Sequence, residues 1–101
     1  MTATALHPTH LSRVLSRAGL YHLTANGLQA LCELRAGGHD AATMSGLARK
    51  LEISTGAITG LADALETAGF VERQPSRTDR RAIFLFLTDT GRRALDDILE
   101  A

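Results

Sequence analysis

Six arginines between residues 73 and 93 give this chain its best means of holding an anion: Arg73, Arg77, Arg80, Arg81, Arg92 and Arg93. Asp79 and Asp89 stand against them, so the segment carries a net charge of +4. A guanidinium offers a planar fork of donors that matches a phosphate and stays charged at any physiological pH. The first four arginines lie in a polar stretch containing Pro75, between the apolar runs Phe70-Val71 and Ala82-Ile83-Phe84-Leu85-Phe86-Leu87. That pattern reads as a β-hairpin with a basic connection. Arg92 and Arg93 are equally well explained by pairing with Asp89, Asp96 or Asp97 on one helix. Arg49 and Lys50 fit either a phosphate contact or a solvated face.

Other chemistries find less support. The serines fall in cap and turn positions, with no Gly-x-Ser-x-Gly and no phosphate-cradling glycine loop, which argues against an enzyme. His7, His10, His22 and His39 do not form a metal-ligand set, and no cofactor is implied. Cys32, between Leu31 and Leu34, reads as a buried small hydrophobe, because a sensing thiol needs exposure and a positive neighbour. With a single cysteine, no intrachain disulfide can form. Four aromatic residues, Tyr21, Phe70, Phe84 and Phe86, are too few for a base-stacking platform.

The elements that position the arginines follow from hydrophobic period. Residues 1–8, closed by Pro8, read as a frayed end. From Thr9, a plausible cap, Leu11, Val14, Leu15 and Ala18 recur at helical spacing up to Gly19. Leu20, Tyr21 and Leu23 form an apolar connection. Thr24 is placed to cap a second helix with Leu28, Leu31, Cys32 and Arg35 on one face, ended by Gly37 and Gly38. A short link, His39 to Thr43, has room for one extended pair. Thr43 or Ser45 caps a brief third helix carrying Leu47, Ala48 and Leu51. Ser54 caps a fourth running to about Ala68, with Ile58, Leu61, Ala62 and Leu65 inward and Gly69 as a left-handed stop. Strands at Phe70–Arg73 and Ala82–Leu87 follow, and Thr88 caps a last helix with Leu95, Ile98 and Leu99.

The expected fold is mainly α with a small β-hairpin, a single winged helix-turn-helix domain over residues 1–101. Its length, 101 residues, suits one domain, and no apolar run approaches the roughly 20 residues of a membrane span. With no signal-peptide pattern at the start, a cytoplasmic location is expected. A net charge of zero removes global basicity as an argument for nucleic acid, but the charge is sorted: residues 94–101 carry −3. A helix fits the major groove, and a neighbouring hairpin can set arginine against the backbone or a narrow minor groove.

From Thr43 to Gly91 the chain resembles the MarR family of bacterial transcriptional regulators. The matching residues are Leu47-Ala48, Ile53-Ser54, Ile58-Thr59, Leu65-Glu66, Gly69-Phe70-Val71-Glu72-Arg73, Asp79-Arg80-Arg81-Ala82, Leu87-Thr88 and Gly91. The resemblance implies a homodimer that binds double-stranded DNA at an inverted repeat, usually as a repressor. It implies phosphate contacts from Thr43 and Ser45, and major-groove reading from the start of the fourth helix. It also implies a minor-groove role for Arg77 and a wing ion pair between Asp79 and Arg81 that orients the arginine. The DNA-facing set is therefore Thr43, Ser45, Ser54, Thr55, Gly56, Thr59, Gly60, Arg73, Arg77, Arg80 and Arg81. Residues 43–91 form the DNA-binding lobe, and residues 9–23 and 89–101 are the candidate dimerisation elements, through Leu11, Val14, Leu15, Leu95, Ile98 and Leu99.

Two departures qualify this. The reading face holds Gly56, Thr59, Gly60, Asp63 and Thr67, with no basic residue at Gly60 or Ala64, so base reading is expected to be sparse. The terminal helices are short, which makes a small-molecule effector doubtful. A winged-helix protein of plasmid or phage replication or partition, and an interaction module that has lost base reading, are the alternatives.

Overall fold

The computed structural model describes residues 9–36 and 41–100. The expectations for residues 1–8, for Gly37 and Gly38, and for the start of the His39–Thr43 link lie outside the described residues. Among the described residues, five α-helices and a three-stranded sheet follow in the order α1 (His10–Arg17), a 3-10 turn (Tyr21–Leu23), α2 (Thr24–Ala36), β1 (Ala41–Thr43), α3 (Met44–Leu51), α4 (Thr55–Thr67), β2 (Val71–Pro75), β3 (Ile83–Leu87) and α5 (Asp89–Glu100).

Most caps sit where the hydroxyl residues placed them. Thr9, Thr43 and Ser54 each accept a hydrogen bond from the backbone N–H three residues on, at 3.1, 3.1 and 3.0 Å. Thr88 does the same for Gly91 at 3.0 Å. The cap of α3 is therefore Thr43, which leaves Ser45 exposed in the first turn. Thr24 departs from expectation: its hydroxyl donates back to the Tyr21 carbonyl at 2.6 Å, closing the 3-10 turn. The inward face of α2 is also rotated. Gly27, Ala30, Leu31 and Leu34 are buried, while Leu28 and Cys32 are half-buried and Arg35 is exposed. Gly27 explains the rotation, since a Cβ there would lie 3.0 Å from a methyl of Leu15.

The sheet order is β1-β3-β2, both pairs antiparallel, with Val71 opposite Leu87 and Thr43 opposite Phe84. β1 is a third strand where only an extended pair was expected. Nothing in Ala-Ala-Thr marks a strand, and its place comes from pairing with β3. β2 begins and ends later than expected, and it tolerates Pro75 because it is an edge strand. Val71, Leu85 and Leu87 turn inward, where they join Leu47, Ile58, Leu61, Leu65 and a fully buried Phe70.

The terminal stripes need correction as dimerisation surfaces. Leu11, Leu15 and Leu95 are 0–1% exposed and belong to this core, because α1 packs on α2 and α4, and α5 on α2. Val14 and Ile98 are half-buried at its margin, and Leu99 is 53% exposed. Arg35 and Asp96 tie α2 to α5 at 2.7 Å.

Among the described residues, three backbone positions have positive φ: Gly19, Gly69 and Glu52. Glu52 closes α3 at φ 56, ψ 43, a conformation that disfavours a residue with a Cβ. Replacing it with glycine is expected to stabilise the chain by about 0.5–1 kcal/mol, read by urea unfolding. Gly91→Ala is expected to cost at least about 1–3 kcal/mol in the same assay, because a Cβ there would overlap the Phe70 carbonyl oxygen.

Candidate nucleic-acid interface

The helix-turn-helix is α3, the Glu52-Ile53-Ser54 turn and α4. Both helices begin with a hydroxyl cap and no acid in the first turn, so neither positive helix end is neutralised locally. Ser45, Thr55 and Thr59 are exposed at these starts. Together with Arg81, Ala82 and Ile83 of the hairpin they line a notch of about 250 Å³. Its floor adds Met44, Ala48 and Ile58.

The hydroxyls here are partly committed. Thr43 and Ser54 spend an acceptor on their helix caps. Thr59 donates its hydroxyl back to the Thr55 carbonyl at 2.9 Å. Thr55 and Ser45 make no side-chain hydrogen bond among the described residues. Gly56 is exposed, and a Cβ there would meet the Ser54 hydroxyl at 4.0 Å. Gly60 turns away from the notch: it is half-buried, 3.6 Å from Leu20 where a Cβ would stand, and lines a separate groove with Val14, Arg17 and Leu20.

The turn between β2 and β3 is organised by short polar contacts. The Ser76 hydroxyl accepts from the backbone N–H groups of Thr78 and Asp79 at 3.2 and 3.1 Å. The Asp79 carboxylate accepts from the backbone N–H of Arg81 at 2.9 Å. This corrects the expected Asp79–Arg81 ion pair. An aspartate two residues before an amide closes an Asx turn more easily than it reaches that residue's guanidinium. Arg77, Arg80 and Arg81 are exposed, and among the described residues none has a carboxylate within 4 Å of its guanidinium.

Arg73 is placed differently. Its Nε and Nη2 donate to Glu66 Oε1 at 3.0 and 2.7 Å, and Nη2 also lies 2.7 Å from Asp63 Oδ1. Its backbone N–H donates to the other Glu66 oxygen at 3.3 Å. Arg73 thus ties β2 to α4, apart from the notch. The signal was present in the sequence: an acid three residues before a turn glycine, and an arginine four after it. Ile83, 40% exposed, is a notch residue that sequence reasoning counted only as strand. Arg49 is exposed, Lys50 pairs with Glu33 at 2.8 Å, and Arg92 has a partner of its own.

The model of the MarR family matches residues 23–83, more than half of the chain. The chain belongs to the MarR family. Over 91 residues it is 33% identical to the HTH-type transcriptional regulator PecS of Dickeya dadantii, covering 89% of this chain and 53% of that protein. It is 33% identical over 69 residues to the multiple antibiotic resistance protein MarR of Salmonella typhimurium, covering 68% and 46%. Among solved structures, Sco3205, a MarR-family regulator of Streptomyces coelicolor in complex with DNA, superposes with a TM-score of 0.70. It is 30% identical and covers 93% of this chain and 57% of that one. AbsC from the same organism superposes with a TM-score of 0.73 at 28% identity, covering 89% and 59%. The chain spans about half or less of the length of the curated relatives it matches. The fold is the winged helix-turn-helix of this family, with the β2–β3 turn as its wing.

The Glu66–Arg73 contact has a pH signature. Hydrogen bonds from Arg73 hold the Glu66 carboxyl below its ordinary range. The stabilisation is complete above the ordinary carboxylate pKa and is lost as pH falls through the depressed one. Thermal unfolding is expected to fall more steeply between about pH 5 and pH 3 in the native chain than in Glu66→Gln, which cannot titrate.

Proposed function

We propose that this chain is a sequence-specific, double-stranded DNA-binding transcriptional regulator that occupies an inverted-repeat operator as a homodimer and represses by occupying a promoter. One observation carries the reading. Two unneutralised helix starts, the exposed hydroxyls of Ser45 and Thr55, and the guanidinium of Arg81 converge on one notch, with Arg77 and Arg80 in the adjoining wing turn. Membership of the MarR family supports the same reading, and so does the likeness to Sco3205, which is solved in complex with DNA.

The roles divide by chemistry. Ser45, the α3 amides behind Thr43, and the arginines Arg80 and Arg81 meet phosphates, while Arg77 in the wing turn reaches into the minor groove. Thr55, Gly56 and Thr59 approach base edges. Ser54 holds the α4 start in place, while Arg73 fixes the angle between α4 and the wing. With Leu11, Leu15 and Leu95 inside the subunit, the dimer would use the outer positions of α5, Ile98 and Leu99.

Selection from random duplex DNA is expected to enrich an inverted repeat with half-site centres about 10–10.5 base pairs, or a multiple, apart. Arg77→Ala and Arg81→Ala should each weaken binding at all sequences and lower the slope of log K against log salt by about 0.9 per subunit. Arg73→Ala should leave that slope unchanged and lower thermal stability instead. Absence of any enriched sequence would favour an interaction module. Light scattering should give a dimer mass that Leu99→Asp halves.

A further inference from the structure

We propose that the notch between the start of α4 and the wing reads the 5-methyl group of thymine, with Ile83 and Thr59 as its specificity-determining residues. This rests on the DNA-binding reading above and adds what is recognised there.

The start of α4 lacks the side chains that read base edges with paired hydrogen bonds. Discrimination by hydrogen bonds comes mainly from bidentate pairs by Arg, Lys, Asn or Gln. The start of α4, Thr55-Gly56-Ala57-Ile58-Thr59-Gly60, contains none of them. The hydroxyl hydrogen of Thr59 is already given to the Thr55 carbonyl at 2.9 Å. What Thr59 retains is a methyl group and lone pairs. The apolar part of the lining is Ile83, 40% exposed, with Met44 and Ala82 half-buried beside it, while Ser45, Thr55 and Arg81 make up its polar part.

A notch of about 250 Å³ is wider than a methyl group needs, so it excludes nothing by size; its chemistry selects. In the major groove the thymine methyl is the apolar mark that separates T from C, and apolar side chains are its complement. Arg81 at the rim supplies the charge that brings the backbone close.

The test uses the duplex enriched by the purified full chain, with each thymine replaced singly by deoxyuridine, which removes only the methyl. Binding is followed by fluorescence anisotropy. At one or two positions in each half-site the replacement is expected to weaken binding about fourfold, equivalent to about 0.8 kcal/mol for one buried methyl. In Ile83→Ser and in Thr59→Ser, which keeps the hydroxyl, that penalty should fall below about twofold while far-UV circular dichroism stays unchanged. The proposal is overturned if no deoxyuridine position matters in a duplex the chain does bind, or if the penalty persists in both variants. A loss seen only with 7-deazaguanine would instead give base reading to Arg81 and also overturn it. If no sequence is enriched at all, the underlying DNA-binding reading falls with it.

Discussion

The carbonyl oxygen of Phe70 is the point on which the geometry of the lobe depends. It accepts the backbone N–H of Thr88 at 3.1 Å, while the missing side chain of Gly91 lets α5 press against it. One residue earlier, the Gly69 carbonyl accepts the Thr88 hydroxyl. These contacts close the base of the hairpin, where β2 leaves α4 and β3 enters α5. Phe70 itself is wholly buried, so neither strand can tilt without opening the core. A side chain at Gly91, or the loss of the Thr88 hydroxyl, would move the wing relative to the helix-turn-helix.

Arg73 adds a second restraint between the same two parts. It is half-buried and grips Glu66 and Asp63 from β2, so an exposed arginine cluster in the sequence is divided by the fold into two jobs. One arginine sets the angle of α4. Three others, Arg77, Arg80 and Arg81, face outward. A single partly exposed ion pair contributes modestly to stability, so Arg73, with contacts to both Glu66 and Asp63, acts on orientation as well as on free energy. The positive charge available to a polyanion is correspondingly smaller than the composition of the segment suggests.

Much of the fold was legible because its signals are local. Hydroxyl caps at Thr9, Thr43, Ser54 and Thr88, and the glycines at 19 and 69, mark helix ends by short-range geometry. The inward face of α4 followed from its period. What was not legible depends on partners distant in sequence. β1 exists because β3 is there to pair with it. The face of α2 is set by Leu15 and Leu61 meeting Gly27. The stripes of α1 and α5 could not be assigned to the core or to a partner until their neighbours were in place. At the site, the Asp79–Arg81 contact proved to involve the main chain, and the role of Ile83 became visible only when the wing closed on α4.

Thr43 belongs to two structures at once. It is the last residue of β1, opposite Phe84, and the cap of α3, through its hydroxyl on the Gly46 amide. Peeling β1 from the sheet would therefore remove the residue that holds the bracing helix at its start. The wing and the bracing helix then share one opening event, and amides of Gly46 and of the β1–β3 ladder would exchange with solvent together, as a single cooperative unit.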